Sequence, residues 1–114
     1  MQTIPAFANH LPVRIRFGDG VAGELGAIVA GHGARNVAVI IDAGLEDANA
    51  GVAAAVAAIG AGVTRHVKEP GEPTHAAVDA AADAIRDVRA QAVIAIGGGS
   101  VLDTAKAARL CVQR

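Results

Sequence analysis

Short runs of apolar residues alternate along the chain with longer stretches in which apolar residues return at a helical spacing. Two runs of five, 37–41 and 92–96, are apolar throughout, which is typical of strands buried on both faces in a parallel sheet. Residues 62–67 form a weaker third run. Residues 13–17 alternate apolar and basic side chains, which predicts an edge strand with one face in water. The pattern therefore predicts four strands.

Four helices are predicted between or after these strands, because apolar side chains recur there on one helical face. They are marked by Val21, Leu25 and Ile28, by Val52, Val56 and Ile59, by Val78, Ile85 and Val88, and by the stretch that Ser100 opens. Thr74 is placed to cap the third helix, and Gly60 to end the second. The alternation predicts one α/β domain over residues 1–114, with a Rossmann-like, open, mostly parallel sheet and helices on both faces.

Charge balance, aromatic content and cysteine count exclude several classes of function. With 10 basic and 11 acidic residues and two aromatic ones, the chain lacks the basic stripe and stacking surface of a nucleic-acid binder. A single cysteine, Cys111, cannot form an internal disulfide, and no leader or membrane-length apolar run is found, so we expect a cytoplasmic protein that does not enter membranes. Much of the apolar content is alanine, whose small side chain buries little surface. The fold then depends either on close packing of helices on the sheet or on surface buried against a second domain or another copy of the chain.

The segment from 92 to 108 carries the strongest chemical signal. An apolar strand runs into Gly97, Gly98 and Gly99 and then into a helix that Ser100 opens. Glycines permit positive φ and leave the backbone accessible, while the N–H groups and positive dipole end of a new helix attract an anion. We interpret the loop as a phosphate site, with Ser100 capping the helix and donating to a phosphate oxygen. The alternative is a tight turn whose glycines serve packing alone.

Two charged residues follow the loop. Asp103 is expected in the first turn of the helix, where the dipole stabilises a carboxylate; it either serves that role or reaches over the loop toward a ribose or a nicotinamide amide. Lys106 lies three residues further on the same face, and either pairs with Asp103 or faces the ligand.

These residues resemble the glycine motif of the iron-containing, metal-dependent (group III) alcohol dehydrogenases, here Gly97-Gly98-Gly99-Ser100-x-x-Asp103-x-Ala105-Lys106. Segments 17–21, 41–45 and 69–74 resemble further parts of that family, so the resemblance covers almost the whole chain. Dehydroquinate synthases and glycerol dehydrogenases share the fold, but Ser100 favours the alcohol dehydrogenase branch. Glu72 stands where some relatives carry Asn, which leaves a cofactor contact there open.

The resemblance implies a cofactor site made of Asp42, Gly97, Gly98, Gly99, Ser100 and Asp103. In it, Gly98, Gly99 and Ser100 contact the pyrophosphate of NAD, Asp103 lies near the nicotinamide, and Asp42 binds the adenosine ribose. Because a carboxylate accepts from both ribose hydroxyls and repels a 2′-phosphate, NAD is expected rather than NADP. The alternative for Asp42 is a turn residue or helix cap.

The resemblance also implies a helical C-terminal domain, absent from this chain, whose Asp and His side chains hold a catalytic Fe or Zn. His10, His32, His66 and His75 are scattered along the chain, so no metal ligand and no catalytic residue is assigned here. The alternative is a metal site between His66 and His75, which flank the proline-rich turn. We therefore expect the NAD-binding domain of an enzyme that transfers hydride between an alcohol or aldehyde and NAD, truncated and inactive alone. A non-catalytic nucleotide- or phosphate-binding module and a purely structural domain are the competing hypotheses.

Overall fold

Within the part of the chain that the structure describes, three parallel strands form the sheet. The computed structural model describes residues 16–60 and 62–113, with strands β1 (Asn36–Asp42), β2 (Gly62–Lys68) and β3 (Ala92–Ile96) in the order β2-β1-β3. The predicted strands at 37–41, 62–67 and 92–96 are confirmed. Of the predicted edge strand at 13–17, residues 13–15 lie outside the described residues, and Arg16 and Phe17 belong to no strand or helix.

In the described residues, five α-helices surround these strands: α1 (Leu25–Gly31), α2 (Leu45–Ala48), α3 (Ala50–Ala57), α4 (His75–Asp87) and α5 (Gly99–Val112). The four predicted helices are confirmed, and the first is preceded by a 3-10 turn at Val21–Glu24. Helix α2 was not predicted, since four residues are too few to show a helical repeat. It begins after Gly44, whose φ of 77° places it in the left-handed region, where glycine pays no steric penalty.

The central strand β1 is buried on both faces, as predicted. Val37, Val39 and Ile41 face one side, in a cluster with Val29, Val56 and Ile59 of the segments around α1 and α3. Ala38 and Ile40 face the other, in a cluster with residues of α4 and α5 that includes Ala81, Ile85 and Val101. Because strand side chains alternate between faces, one apolar run supports both layers, and the α/β fold with helices on both sides of the sheet follows.

Strand β3 differs from its prediction. Its apolar run was expected to be buried on both faces, but all five residues are only half-buried. The reason is its place at the edge of the described sheet, where β1 covers one side and no second strand among residues 16–60 and 62–113 covers the other.

Helix ends follow the predicted chemistry. The Thr74 hydroxyl accepts a hydrogen bond from the N–H of Ala77 at 3.0 Å and caps α4, a contact that contributes about 1 kcal/mol. Gly60, past the end of α3, has φ 73°. None of the helices in the described part of the chain has both the length and the apolar character needed to span a membrane.

Candidate functional site

The carboxyl ends of the three parallel strands meet at one edge of the sheet. Asp42 ends β1, Lys68 ends β2 directly opposite it, and Gly97 follows β3. The chain leaving β1 enters α3 on one face, whereas the chain leaving β3 enters α5 on the other. Connections that diverge from adjacent strands open a crevice between them, and ligands of open α/β sheets bind in such crevices. By this rule the crevice is expected at the carboxyl ends of β1 and β3, where Asp42 meets the loop at 97–100.

The three glycines of this loop do not have the same surroundings. Gly97 has φ 152°, and a Cβ built there would lie 2.5 Å from Asp42 Oδ2 and 2.8 Å from Val101 Cγ2, so only glycine fits. A Cβ at Gly98 or at Gly99 would meet nothing within 4 Å. Packing therefore explains Gly97, as the alternative interpretation proposed, but it does not explain Gly98 and Gly99, whose backbone faces open space.

Helix α5 begins without a side-chain cap. Its N-cap residue is Gly98, whose carbonyl accepts from the N–H groups of Val101 and Leu102 at 3.1 Å. The N–H groups of Gly99 and Ser100 donate to no acceptor in the described part of the chain. A helix of 14 residues thus presents two unused donors at its positive end, the arrangement that binds anions.

Asp42 contacts this loop directly. Its Oδ2 accepts from the N–H of Gly98 at 3.2 Å, and the carboxylate also lies against Gly97. Asp42 caps no helix, since α2 begins after Gly44. One of the loop's N–H groups is therefore used internally, and the carboxylate fixes the loop at the end of the neighbouring strand.

Ser100 does not cap the helix, contrary to the sequence-based expectation. It lies one residue inside α5, and its hydroxyl donates to the carbonyl oxygen of Gly71 at 2.6 Å. The helix starts earlier than predicted because Gly98 already has the extended conformation of an N-cap. The contact ties the glycine loop to the proline-rich turn after β2.

The position of Asp103 also needs correction. Because α5 begins at Gly99, Asp103 is its fifth residue and lies beyond the first turn, which contains no acidic residue. The expected stabilisation by the helix end is therefore lost, since that effect falls off within the first turn. Asp103 and Lys106 are both exposed, and no ion pair joins them within residues 16–60 and 62–113.

The sequence pattern did not single out Lys68. It is only 5% exposed, and its ammonium group donates to the carbonyl oxygens of Glu69 at 2.8 Å and Gly71 at 2.9 Å. A lysine at the end of a strand ordinarily extends into solvent. Its position in the sequence could have indicated it. Lys68 is the last residue of a strand parallel to β1, so it lies at the same edge of the sheet as Asp42.

An acidic cleft adjoins Asp42. It has a volume of 240 Å³ and is lined by the carboxylates of Asp42, Glu46 and Asp47 together with Ile41, Gly44 and Val67. Glu46 is paired with Arg65 at 2.8 Å, which leaves Asp42 and Asp47 without a cationic partner in the described residues. The cleft therefore disfavours an additional negative group beside Asp42.

A metal site finds no support in the same residues. Over residues 16–60 and 62–113, no three His, Cys, Asp or Glu side chains come together in a group that could hold a metal ion. His66 lines a cleft of 260 Å³ at the proline-rich turn with Glu69 and Glu72, whereas His75 is exposed at the start of α4.

Comparison with known proteins gives a consistent result. The sequence model of the family described as iron-containing alcohol dehydrogenase matches residues 12–114. The chain is 37% identical over 97 residues to the probable alcohol dehydrogenase EutG of Salmonella typhimurium, covering 83% of this chain and 25% of that protein. It is 36% identical over 107 residues to maleylacetate reductase 2 of Cupriavidus pinatubonensis, covering 90% and 28%.

A solved structure agrees with these relatives. The fold is similar to an iron-containing alcohol dehydrogenase from Thermococcus thioreducens with a TM-score of 0.70 and 25% identity, over 83% of this chain and 25% of that one. The mitochondrial hydroxyacid-oxoacid transhydrogenase of Xenopus laevis is 33% identical, covering 84% of this chain and 21% of that protein. The chain spans about a quarter of the length of the relatives it matches, and each of these relatives is named as an oxidoreductase.

Proposed function

Because the chain belongs to the iron-containing alcohol dehydrogenase family, we propose that it is the NAD-binding part of an alcohol dehydrogenase-like oxidoreductase. The observation that carries the proposal is the glycine loop at the crevice between β1 and β3. Gly98 and Gly99 leave its backbone open, and the N–H groups of Gly99 and Ser100 have no acceptor among residues 16–60 and 62–113.

Each part of the cofactor has a proposed partner. The diphosphate accepts from the N–H groups of Gly99 and Ser100, at the positive end of α5. The Ser100 hydroxyl joins them once it leaves the Gly71 carbonyl. Asp42 accepts from the adenosine ribose hydroxyls while its Oδ2 stays on the Gly98 N–H, and Asp103 lies toward the nicotinamide end. When bound, NAD supplies the group that accepts hydride; the chain's own residues bind and orient it.

The proposal assigns neither the catalytic metal nor the alcohol pocket to the described residues. The iron in the family's name would require a set of Asp, Glu, His or Cys ligands, and no such group is formed among them. We therefore place the chain's contribution in cofactor binding.

The direct test is a titration of the ¹⁵N-labelled 114-residue protein with NAD. We expect saturable shift changes at the amides of Asp42, Gly98, Gly99 and Ser100. Gly98→Ala should weaken binding, because the added methyl group projects into the space where the phosphates approach. Gly31→Ala is the matched control, since Gly31 is also surrounded by open space but lies in α1. No response at millimolar NAD, or changes confined to other regions, would contradict the proposal.

The preference for NAD over NADP is tested by Asp42→Asn. Asparagine retains an oxygen for the Gly98 N–H but removes the negative charge. We expect the ratio of NADP to NAD affinity to rise by at least about tenfold, since like charges in contact cost more than the ~1.4 kcal/mol that this factor represents. Glu46→Gln, at the more distant paired carboxylate of the cleft, should have a smaller effect. An unchanged ratio in Asp42→Asn would remove Asp42 from the ribose site.

A further inference from the structure

Lys68 carries a buried charge whose hydrogen-bond partners are backbone carbonyl groups. It is 5% exposed, and its Nζ donates to two backbone carbonyls of the turn that follows β2, those of Glu69 and Gly71. No Asp or Glu lies within ion-pairing distance of it in the described part of the chain. A buried cation held only by carbonyl dipoles is incompletely compensated for the water it has lost.

This charge is connected to the glycine loop through one atom. The carbonyl oxygen of Gly71 accepts both from Lys68 Nζ at 2.9 Å and from Ser100 Oγ at 2.6 Å. The ammonium nitrogen and the hydroxyl oxygen are therefore separated by no more than two hydrogen-bond lengths. The N–H of Ser100 is one of the two unused donors of α5, so the buried charge lies beside the positive end of that helix.

Two consequences follow for an anion at this helix end. A fixed positive charge with no carboxylate in ion-pairing contact in the described part of the chain attracts it, and burial protects the attraction from screening by salt. In addition, two donors share the Gly71 oxygen, which remains satisfied by Lys68 if the Ser100 hydroxyl turns to the anion. The hydroxyl is thus easier to redirect than it would be if Gly71 depended on Ser100 alone.

We propose that Lys68 is a positioning residue of the diphosphate site: its ammonium group supplies the fixed positive charge of the site and holds the Gly71 carbonyl from which Ser100 is released. The inference rests on the proposed function, because it takes the ligand to be a dinucleotide bound through its diphosphate. The chemistry that it recognises is a diphosphate group, whichever base and second nucleoside are attached.

The test compares variants of the 114-residue protein by calorimetric titration with NAD, ADP and adenosine. Lys68→Met keeps much of the side-chain volume and removes the charge. We expect the affinities for NAD and ADP to fall at least about fivefold, the lower end of coupling between linked sites, while adenosine binding is unchanged. The loss should persist at about 1 M salt, where the Debye length is about 3 Å.

Two further variants separate the effect of the buried charge at Lys68 from the effect of positive charge in general. Lys68→Arg retains the charge and should retain most of the affinity. Lys106→Met removes an exposed charge on α5, and any loss that it causes should disappear at high salt. Thermal unfolding of each variant verifies that it is folded; replacing a buried ion by an apolar side chain is often tolerated.

The outcomes distinguish this inference from the proposed function. Lys68→Met binding NAD and ADP as tightly as wild type would overturn the role of Lys68 and leave the proposed function standing. An equal loss of adenosine affinity would overturn it as well, because a general disturbance of the fold would then explain the result. Failure of the wild-type protein to bind NAD or ADP would overturn the proposed function and the role of Lys68 with it.

Discussion

Gly97 and Gly99 stand two positions apart in one loop, yet a methyl group at each would meet different surroundings. Gly97→Ala would place Cβ against Asp42 and Val101 at a φ of 152°, so we expect the free energy of unfolding to fall by about 2–4 kcal/mol from overpacking and backbone strain. Gly99→Ala, in open space in the first turn of α5, should leave it unchanged or raise it by about 0.5–1 kcal/mol. Urea unfolding measures both.

Equal effects of the two substitutions would show that the loop does not pack against Asp42 as described. Hydrogen exchange of the Gly98 amide provides a second measurement on these variants. If Gly97→Ala displaces the Asp42 carboxylate, the 3.2 Å hydrogen bond from the Gly98 N–H to Asp42 is broken. In Gly97→Ala, that amide should lose protection from hydrogen exchange, whereas in Gly99→Ala it should retain it.

A residue of the site could be predicted from the sequence when its role depends on neighbouring positions, and could not when it depends on residues far along the chain. Three glycines between a strand and a helix indicate an open backbone from sequence alone, because the signal lies in adjacent positions. The contacts of Asp42 with Gly98 and of Ser100 with Gly71 join residues that are 56 and 29 positions apart, and no local pattern encodes them. The burial of Lys68 was missed for the same reason, since it results from the turn folding over the end of β2.

Among the elements, the end of α4 is unusual. Arg89, just past Val88, has φ 51°, while its N–H bonds to Arg86 and that of Ala90 to Ile85, the Schellman arrangement in which glycine is favoured. Arg89→Gly should therefore stabilise the protein by about 0.5–1 kcal/mol. This is the cost of holding a non-glycine residue in the left-handed region, reduced by the larger conformational entropy of glycine in the unfolded chain. The control Arg109→Gly, inside α5, should destabilise it by about 1 kcal/mol.

Thermal and urea unfolding of the two variants test this difference in sign. Destabilisation by both substitutions would mean that Arg89 contributes contacts that outweigh its backbone strain. The N-terminal end of the same helix gave no such surprise: Thr74 was predicted as its cap and is its cap, because capping depends on residues within one turn. Helix α2 and the half-burial of β3 could not be predicted, since the first has no repeat and the second depends on which strands are its neighbours.

At the scale of the whole molecule, groups suited to cofactor binding lie together in the described residues, whereas possible metal ligands do not. The crevice between β1 and β3 brings together donors suited to a diphosphate and a carboxylate suited to a ribose, and all of them come from strand ends and the loops that follow. A metal ion that polarises an alcohol oxygen is held by several Asp, Glu, His or Cys side chains, and in the described residues no group able to hold a metal ion is formed. Under the proposed function, this is a separation of cofactor binding, assigned to these residues, from the metal-assisted chemistry.

We predict from this separation that the isolated 114-residue polypeptide binds NAD but does not oxidise simple alcohols, even with added Fe²⁺ or Zn²⁺. A metal that lowers the barrier must be held by several ligands beside the substrate oxygen. Absorbance of NADH at saturating ethanol or propane-1,2-diol measures the reaction, and a full-length iron-containing alcohol dehydrogenase serves as the positive control. NADH production that rises in proportion to the concentration of the pure polypeptide and stops on adding a chelator would show that it holds a catalytic metal after all. Production that also disappears in Gly98→Ala would place that reaction at the glycine loop.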